Sequence, residues 1–460
     1  MKENSKFDFD DRDSLGSRLG FILLSAGCAI GCGNVWKFPW LAGQYGGGAF
    51  VLLYILFLIL LGWPIMTMEF SVGRASQRSP VRMYKVLEPA GTKWHYHGYI
   101  ALAGNFCLMM FYTIVTGWML HYFTASVFGE FAGMNPQQVG ASFGKLLGDP
   151  EALLMNMALV VIAGFAILSF SLRGGLERVT KWMMLALMVI MMVLAINALF
   201  MNGASEGLKF YLLPNFGKID WSVAVAAMNQ AFFTLSIGIG SMAIFGSYIG
   251  KTHRLGGEAA NVIALDTFVA IVAGLIIFPA CFTYGVQPNA GPGLIFVTLP
   301  NIFNHMPSGR VWGPLFFIFM TFACFSTVLA VFENILACMR ELTGWSRRKT
   351  AWISCVAMLI LSTPCALGFN LWSGIQPMGQ GTCIMDLEDF IVSNCLLPLG
   401  GLIFVFFCTF KRGWGWENFI AEANTGVGMR FRNGLRLYCT FVLPLIILVV
   451  FIAGILPFFK

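Results

Sequence analysis

The chain has 460 residues, 58% of them hydrophobic and only 11% charged, with a mean hydropathy of +0.76. Soluble domains carry about 25% charged residues, so this composition excludes an ordinary soluble protein and points to a polytopic membrane protein. The formal net charge of +7 reflects basic loops, not a surface for nucleic acid.

The first residues, Met1 to Ser17, are polar and acidic, with Asp8, Asp10, Asp11 and Asp13 and no apolar core of a signal peptide. A bilayer crossing needs about 20 apolar residues. Eleven such runs are predicted, near 17–43, 48–70, 98–126, 152–171, 179–201, 221–249, 259–285, 311–340, 350–369, 387–410 and 435–457. With the N-terminus inside, the cytoplasmic segments collect 23 of the 29 Lys and Arg residues, as the positive-inside rule requires. Eleven spans then put the C-terminus outside. The 12 cysteines form no C-x-x-C pair and lie mostly in apolar runs, so reduced, buried thiols are expected; Cys383, in a predicted outer loop, is the exception.

Two spans are poor continuous helices. The first holds Gly27-Cys28-Ala29-Ile30-Gly31-Cys32-Gly33-Asn34-Val35-Trp36-Lys37-Phe38-Pro39, and the sixth holds Asn229-Gln230-Ala231-Phe232-Phe233-Thr234-Leu235-Ser236-Ile237-Gly238-Ile239-Gly240-Ser241. Each interior Gly costs a helix about 1 kcal/mol. Backbone groups freed in a membrane are tolerated only where they face protein, water or a ligand. A kinked, closely packed helix explains either stretch by itself. Both together, each opening a group of five spans, predict an inverted-repeat transporter with a site at the midplane.

At these residues the sequence resembles the neurotransmitter:sodium symporter family in its prokaryotic amino acid transporter branch. The matching strings are Gly33 to Pro39, Gly46-Gly47-Gly48-Ala49-Phe50, Gln230 to Ser236, Gly291-Pro292-Gly293-Leu294-Ile295-Phe296-Val297-Thr298-Leu299-Pro300 and Met385-Asp386-Leu387-Glu388-Asp389-Phe390. They span nearly the whole chain in order. Many members have twelve spans, whereas eleven are predicted here. The resemblance implies an all-α membrane protein of about eleven transmembrane helices, with a LeuT-type 5+5 inverted repeat and broken helices 1 and 6. Its parts would be 1–16, a cytoplasmic segment; 17–201, the first repeat; 202–220, an extracellular loop; 221–410, the second repeat; 411–434, a cytoplasmic loop; and 435–460, the eleventh helix with an extracellular C-terminus.

By the same resemblance, two sodium ions and an amino acid bind at the breaks. One sodium site would take Ala29, Asn34, Thr234 and Asp266 together with the substrate carboxylate. The other would take carbonyls of Gly27, Ile30 and Ala323 with the hydroxyls of Ser326 and Thr327. Sodium is a hard cation that favours oxygen ligands, although a membrane Ser or Thr by itself commonly bonds back to its own helix. The substrate carboxylate would lie near Cys32 and Gly33, where free N–H groups favour an anion, and Tyr112 would hydrogen-bond it. Gly31 stands where monoamine-type relatives carry an acidic residue, which favours a substrate bringing its own carboxylate. Cys28, Leu108, Phe233, Ser236, Ile239 and Val331 would line the side-chain pocket, with Ala29, Thr234 and Ser326 also at the substrate. That lining is mostly apolar, so a neutral hydrophobic or aromatic amino acid is expected.

Lys37 and Asp389 match the outer gate, and Arg12 and Glu341 the inner one, with Tyr248 and Glu333 nearby. Leu15 replaces a tryptophan common before helix 1. Glu69 is expected to satisfy freed N–H groups around the breaks. Chloride-dependent relatives have Asn where Asp266 stands, so no chloride requirement is expected. Sodium-coupled symport across the cell membrane follows, with the bilayer and an amino acid as partners and no nucleic acid.

Several other signals fail. Gly246-Ser247-Tyr248-Ile249-Gly250-Lys251-Thr252 has three residues between its glycines where a phosphate loop has four, and it follows a membrane helix. His95 and His97 are too few for a metal site, and no catalytic triad or H-E-x-x-H pattern is present, so an enzyme is not expected. A channel would need a longer polar lining, and a sensor would usually append a signalling domain. A proton-coupled transporter stays open as a rival, opposed by the hydroxyls of Ser326 and Thr327.

Overall fold

A computed structural model describes residues 15–285 and 294–456, and among them regular structure is helical, with one isolated bridge between His253 and Val427. Nine helices among the described residues are long and apolar enough to cross a membrane. They are α2 (Gly48–Ser76), α3 (Tyr96–Phe128), α4 (Pro150–Leu168), α5 (Leu172–Leu199), α7 (Leu255–Thr283), α8 (Gly309–Thr343), α9 (Arg347–Leu367), α10 (Ile384–Thr409) and α11 (Asn433–Ile455). Two further spans are broken. α1 consists of Arg18–Ala29 and Gly33–Gln44, bent by 52°. α6 consists of Trp221–Leu235 and Ser241–Gly246. Counting α6 as a span, this approximates the eleven expected, and the helices are interrupted within both stretches that the sequence singled out.

Helix ends follow local chemistry. Asp149 caps α4 by accepting from the Ala152 N–H at 3.0 Å, and Asp220 caps α6 by accepting from Val223 at 2.9 Å. Gly129 and Gly344, both with φ near +72°, end α3 and α8 in the left-handed region that glycine adopts without strain. Wide π-helical turns occur at Gly33–Lys37, Leu58–Gly62, Leu294–Thr298, Phe390–Leu396 and Tyr438–Val442. Each of these five stops two residues before a proline, at Pro39, Pro64, Pro300, Pro398 and Pro444, whereas a sixth, Leu172–Glu177, has no proline at that spacing after it. Proline lacks the N–H for the i→i−4 bond and its ring crowds that carbonyl, and a widened turn relieves the clash without breaking the helix.

The helices differ in depth. α8 is 78% buried over its apolar window and α11 only 33%, so α8 is central and α11 peripheral. Val189, Ile360 and Phe441 point large side chains outward from α5, α9 and α11, as a lipid-facing rim requires. The end of the bundle richest in Lys and Arg is tied by ion pairs. Arg74, fully buried, pairs with Glu422 at 2.6 Å and donates to the His253 carbonyl at 2.7 Å. Arg18 of α1 pairs with Glu258 of α7 at 2.8 Å.

Candidate functional site

The break in α6 begins at Ser236, whose φ of +50° stops the helix, and continues through Gly238 and Gly240 at +103° and +74°. A Cβ on Gly238 would meet the Leu397 carbonyl of α10, so only glycine fits both the backbone angle and the close approach. The freed groups find partners in neighbouring helices. The Gly238 N–H donates to Glu69 of α2, and Met242 and Ala243 also turn their N–H groups toward that carboxylate. Asn105 of α3 donates to the Ile239 carbonyl at 2.9 Å and accepts from Ser241 at 3.2 Å. Glu69 thus sits beside the freed N–H groups of the α6 break.

The break in α1 comes at Ile30, which is extended (φ −72°, ψ 98°). Asn34 folds back on it, its side-chain oxygen accepting from the Gly31 N–H at 3.1 Å. The Asn34 amide nitrogen reaches Asp266 of α7, at 2.8 Å from Oδ1 and 3.0 Å from the carbonyl. Thr234 of α6 donates to the same carboxylate at 3.1 Å and Tyr54 of α2 at 3.2 Å. Asp266 is thus a buried carboxylate gathering groups from α1, α2 and α6. Gln230 links the two breaks by donating to the Gly33 carbonyl at 2.7 Å.

On the other side of α1, α8 presents Ser326 and Thr327. Thr327 Oγ1 lies 3.3 Å from the Gly27 carbonyl, 3.2 Å from Cys28 and 3.3 Å from Ile30. Ser326 Oγ lies 3.3 Å from the Ile30 carbonyl and 2.8 Å from Ala323. One hydroxyl has a single proton to donate, and it cannot serve three carbonyls at once. The five groups expected at the second site therefore form a knot of oxygen dipoles with too few protons, an arrangement suited to a small hard cation.

Between the two oxygen clusters is a cavity lined by Cys28, Ala29, Gly33, Leu108, Tyr112, Phe233, Ser236, Thr327 and Leu397. It offers about 10 Å³ to the centre of a water-sized sphere, about what one water needs. At its polar end the Cys32 N–H donates to the Tyr112 hydroxyl at 2.8 Å, and the Thr327 hydroxyl lies beside the same phenol. Ile239 and Val331, expected in the lining, are not among the residues around this small cavity, and neither are Gly31, Thr234 and Ser326, which were expected at the substrate. Ile239 is held by its carbonyl bond to Asn105 and lies beside Gly104 of α3, and Val331 is wholly buried in α8. Leu397 of α10 takes a place on the wall instead, and nothing marked it within an apolar run.

Lys37 and Asp389 form an ion pair at 3.1 Å, and the Lys37 ammonium lies 4.2 Å from the centre of the Phe233 ring. Together they cover one end of the cavity. At the basic end, the Tyr248 hydroxyl donates to Glu333 at 2.9 Å and the Arg347 guanidinium forks onto the same carboxylate at 3.1 and 2.5 Å. Arg347 was missed because it reads as one cation in a basic loop. Arg12 lies outside the described residues. Its expected partner Glu341 accepts from Ser79, at 3.0 Å from the N–H and 2.7 Å from the hydroxyl. Leu15 meets the inner half of α6 through its N–H to the Tyr248 carbonyl, at 3.5 Å. Cys383 is half-buried, and that burial pushes its thiol up to about 11, so it is protonated and poorly reactive at neutral pH.

Two interrupted spans, with their freed carbonyls, hydroxyls and one carboxylate converging around a midplane cavity, define a multi-pass membrane transporter. A sequence model of the sodium:neurotransmitter symporter family matches residues 12–138 and 137–460. The uncharacterized sodium-dependent transporter YhdH of Bacillus subtilis (strain 168) is 35% identical over 96% of this chain and 98% of its own length. The sodium-dependent serotonin transporter of Drosophila melanogaster is 25% identical over 97% of this chain and 77% of its own. The crystal structure of MhsT in complex with L-phenylalanine superposes with a TM-score of 0.88 at 37% identity, covering 96% of this chain and 100% of that one. The chain belongs to the sodium:neurotransmitter symporter family; it is a sodium-dependent transporter of the LeuT-type fold, not an enzyme.

Proposed function

We propose that the protein carries a neutral hydrophobic or aromatic amino acid into the cell together with sodium, by alternating access and without chloride. The cavity is the observation that carries this reading. Its walls are apolar apart from hydroxyls, a thiol and backbone, and Gly31 brings no side-chain charge to it. An amino acid brings its own carboxylate, and the Tyr112 hydroxyl, which the Cys32 N–H holds in place, is the donor assigned to it. The L-phenylalanine in the MhsT complex supports the same substrate class. Phe233 or Leu108 has to move to admit a side chain of that size.

The two oxygen clusters are read as two sodium sites: Ala29, Asn34, Thr234 and Asp266 at one, and Gly27, Ile30, Ala323, Ser326 and Thr327 at the other. Lys37 with Asp389 serves as the outer gate, and Tyr248, Glu333 and Arg347 as part of the inner one. The bias of basic residues supports a cell membrane topology with the N-terminus cytoplasmic and the C-terminus outside. Spans 1–5 and 6–10 are the two repeats whose relative motion exposes the site alternately.

Asp266 supplies a fixed negative charge beside the first sodium, the charge a chloride ion would otherwise bring. Wild-type uptake is therefore expected to be the same with gluconate in place of chloride. Asp266→Asn is expected to lose uptake in gluconate by about tenfold or more, since an unbalanced buried charge costs a few kcal/mol. Added chloride should restore part of it, with Tyr54, Gln230 and Thr234 as anion donors. Radiolabelled uptake into proteoliposomes checks this across the neutral amino acids; a chloride requirement in the wild type would contradict it.

A further inference from the structure

Glu388 is a carboxylate that none of the transport chemistry uses. In the first turns of α10, Ile384–Asp389, it is the one buried residue, with 4% of its surface exposed. Ile384, Met385 and Leu387 beside it are all more exposed, so its burial does not follow hydrophobicity. Neither of its carboxylate oxygens has a nitrogen or oxygen partner at hydrogen-bond distance among the described residues, and the group turned toward it is a weak donor, the Cys365 thiol of α9. α3 and α9 pack against this turn. The titratable groups facing Glu388 are Cys107 of α3 and Cys365 of α9, with Asp389 nearby on its own helix and Cys383 and Asp386 further along the same thiol cluster. The Cys107 thiol donates to the Glu388 backbone carbonyl at 3.9 Å, not to the carboxylate.

No described cation pairs with Glu388. Lys37 is engaged by both oxygens of Asp389, at 3.2 and 3.1 Å, one residue further on. Asp389 is held as well by the Ser393 hydroxyl at 2.6 Å. An ionised Glu388 would place a second negative charge beside an ion pair already balanced, in an apolar wedge between two helices. A buried charge with no cation beside it and only a weak thiol donor is strongly disfavoured against its neutral form. Glu388 is therefore compatible with this packing only as the neutral acid. If α10 moves away from α3 and water reaches the turn, ionisation is no longer penalised.

We propose that Glu388 is a proton-binding site coupled to the outer gate: it takes a proton from the outer solution as Lys37 and Asp389 close over the cavity, and returns it to the same solution when they part. This rests on reading that pair as the outer gate. The proton is a regulator, not a transported ion, because it enters and leaves on one side. The sign follows from linkage: the closed state holds the proton more tightly, so raising the pH favours the open state. Ligand retention, which needs the closed gate, should weaken by up to about tenfold per pH unit above the ordinary carboxylate range for a single linked proton.

The test uses the full chain in lipid vesicles containing sodium chloride. Infrared spectra with saturating L-phenylalanine at pH 7 should contain a protonated carboxyl C=O band in the wild type that is missing from Glu388→Gln, a neutral isostere. Identical spectra would overturn the proposal. Titration with labelled L-phenylalanine from pH 5.5 to 8.5 should give a dissociation constant that rises with pH in the wild type and a clearly shallower slope in Glu388→Gln. Equal slopes would show that the proton is not linked to the gate. Absence of binding by both proteins at every pH would count against the substrate reading instead, and the infrared comparison is then made with whichever neutral amino acid the protein does retain. If Glu388→Gln is not recovered folded, Glu388→Met serves as the neutral variant of similar length.

Discussion

Replacing Ser326 and Thr327 together by Ala is expected to abolish concentrative uptake. Both hydroxyls face the carbonyls of the interrupted α1, and Ala323 completes the group from α8. Each sodium ion moving down a tenfold gradient and about 100 mV supplies about 1.4 plus 2.3 kcal/mol, so two ions supply about 7 kcal/mol, enough for ~10⁵-fold accumulation. Removing both hydroxyls leaves that cluster with backbone carbonyls and no side-chain ligand. Proteoliposomes carrying the double variant should equilibrate labelled phenylalanine at most, with internal and external concentrations equal. Sodium-driven accumulation that survives the double change would show that this cluster is not a coupling site.

Gly31→Asp is expected to eliminate amino acid binding. A Cβ at Gly31 points at the Tyr112 hydroxyl and at Thr327 Oγ1, with Thr327 Cβ 3.2 Å away. The new carboxylate would therefore occupy the place assigned to the substrate's own and compete for the same donors and sodium. Two like charges at one small site repel strongly where the dielectric is low, and a loss of about 100-fold or more in affinity is expected. Gly31→Ser provides the control for size: it crowds the same atoms without adding charge and should retain more affinity than the Asp variant. Unchanged affinity in Gly31→Asp, measured by scintillation proximity, would contradict the carboxylate placement.

Much of this architecture was legible in the sequence because its signals are covalent in origin. Glycine clusters and polar residues inside apolar runs located both breaks, and spacing along one helix put Ser326 and Thr327 on a common turn. What escaped was set by contacts between helices. Leu397 reaches the cavity because Gly238 lets α10 approach the break in α6, and one leucine in an apolar run carries no mark of that. The bond from Asn105 to the Ile239 carbonyl joins residues 134 positions apart, and no local pattern announces it. Arg347 looked like a loop cation until its fork met Glu333. Glu388 read as part of an acidic motif whose visible member was Asp389; only its burial separates the two. The π turns before proline had a sequence cause, but proline predicts a disturbance in the helix and not which form the relief takes.

The central claim is that sodium and a neutral amino acid move together through the cavity between the two breaks. It is tested most directly by labelled L-phenylalanine uptake into proteoliposomes holding the full chain, with an inward sodium gradient and an inside-negative potential. The same vesicles without the gradient, or with potassium in place of sodium, form the comparison. Uptake that rises above equilibrium only with the sodium gradient, and that excess unlabelled leucine or tryptophan suppresses while lysine and aspartate do not, is the predicted result. Uptake of the same size in potassium, or no uptake of any neutral amino acid under a full sodium gradient, would contradict it.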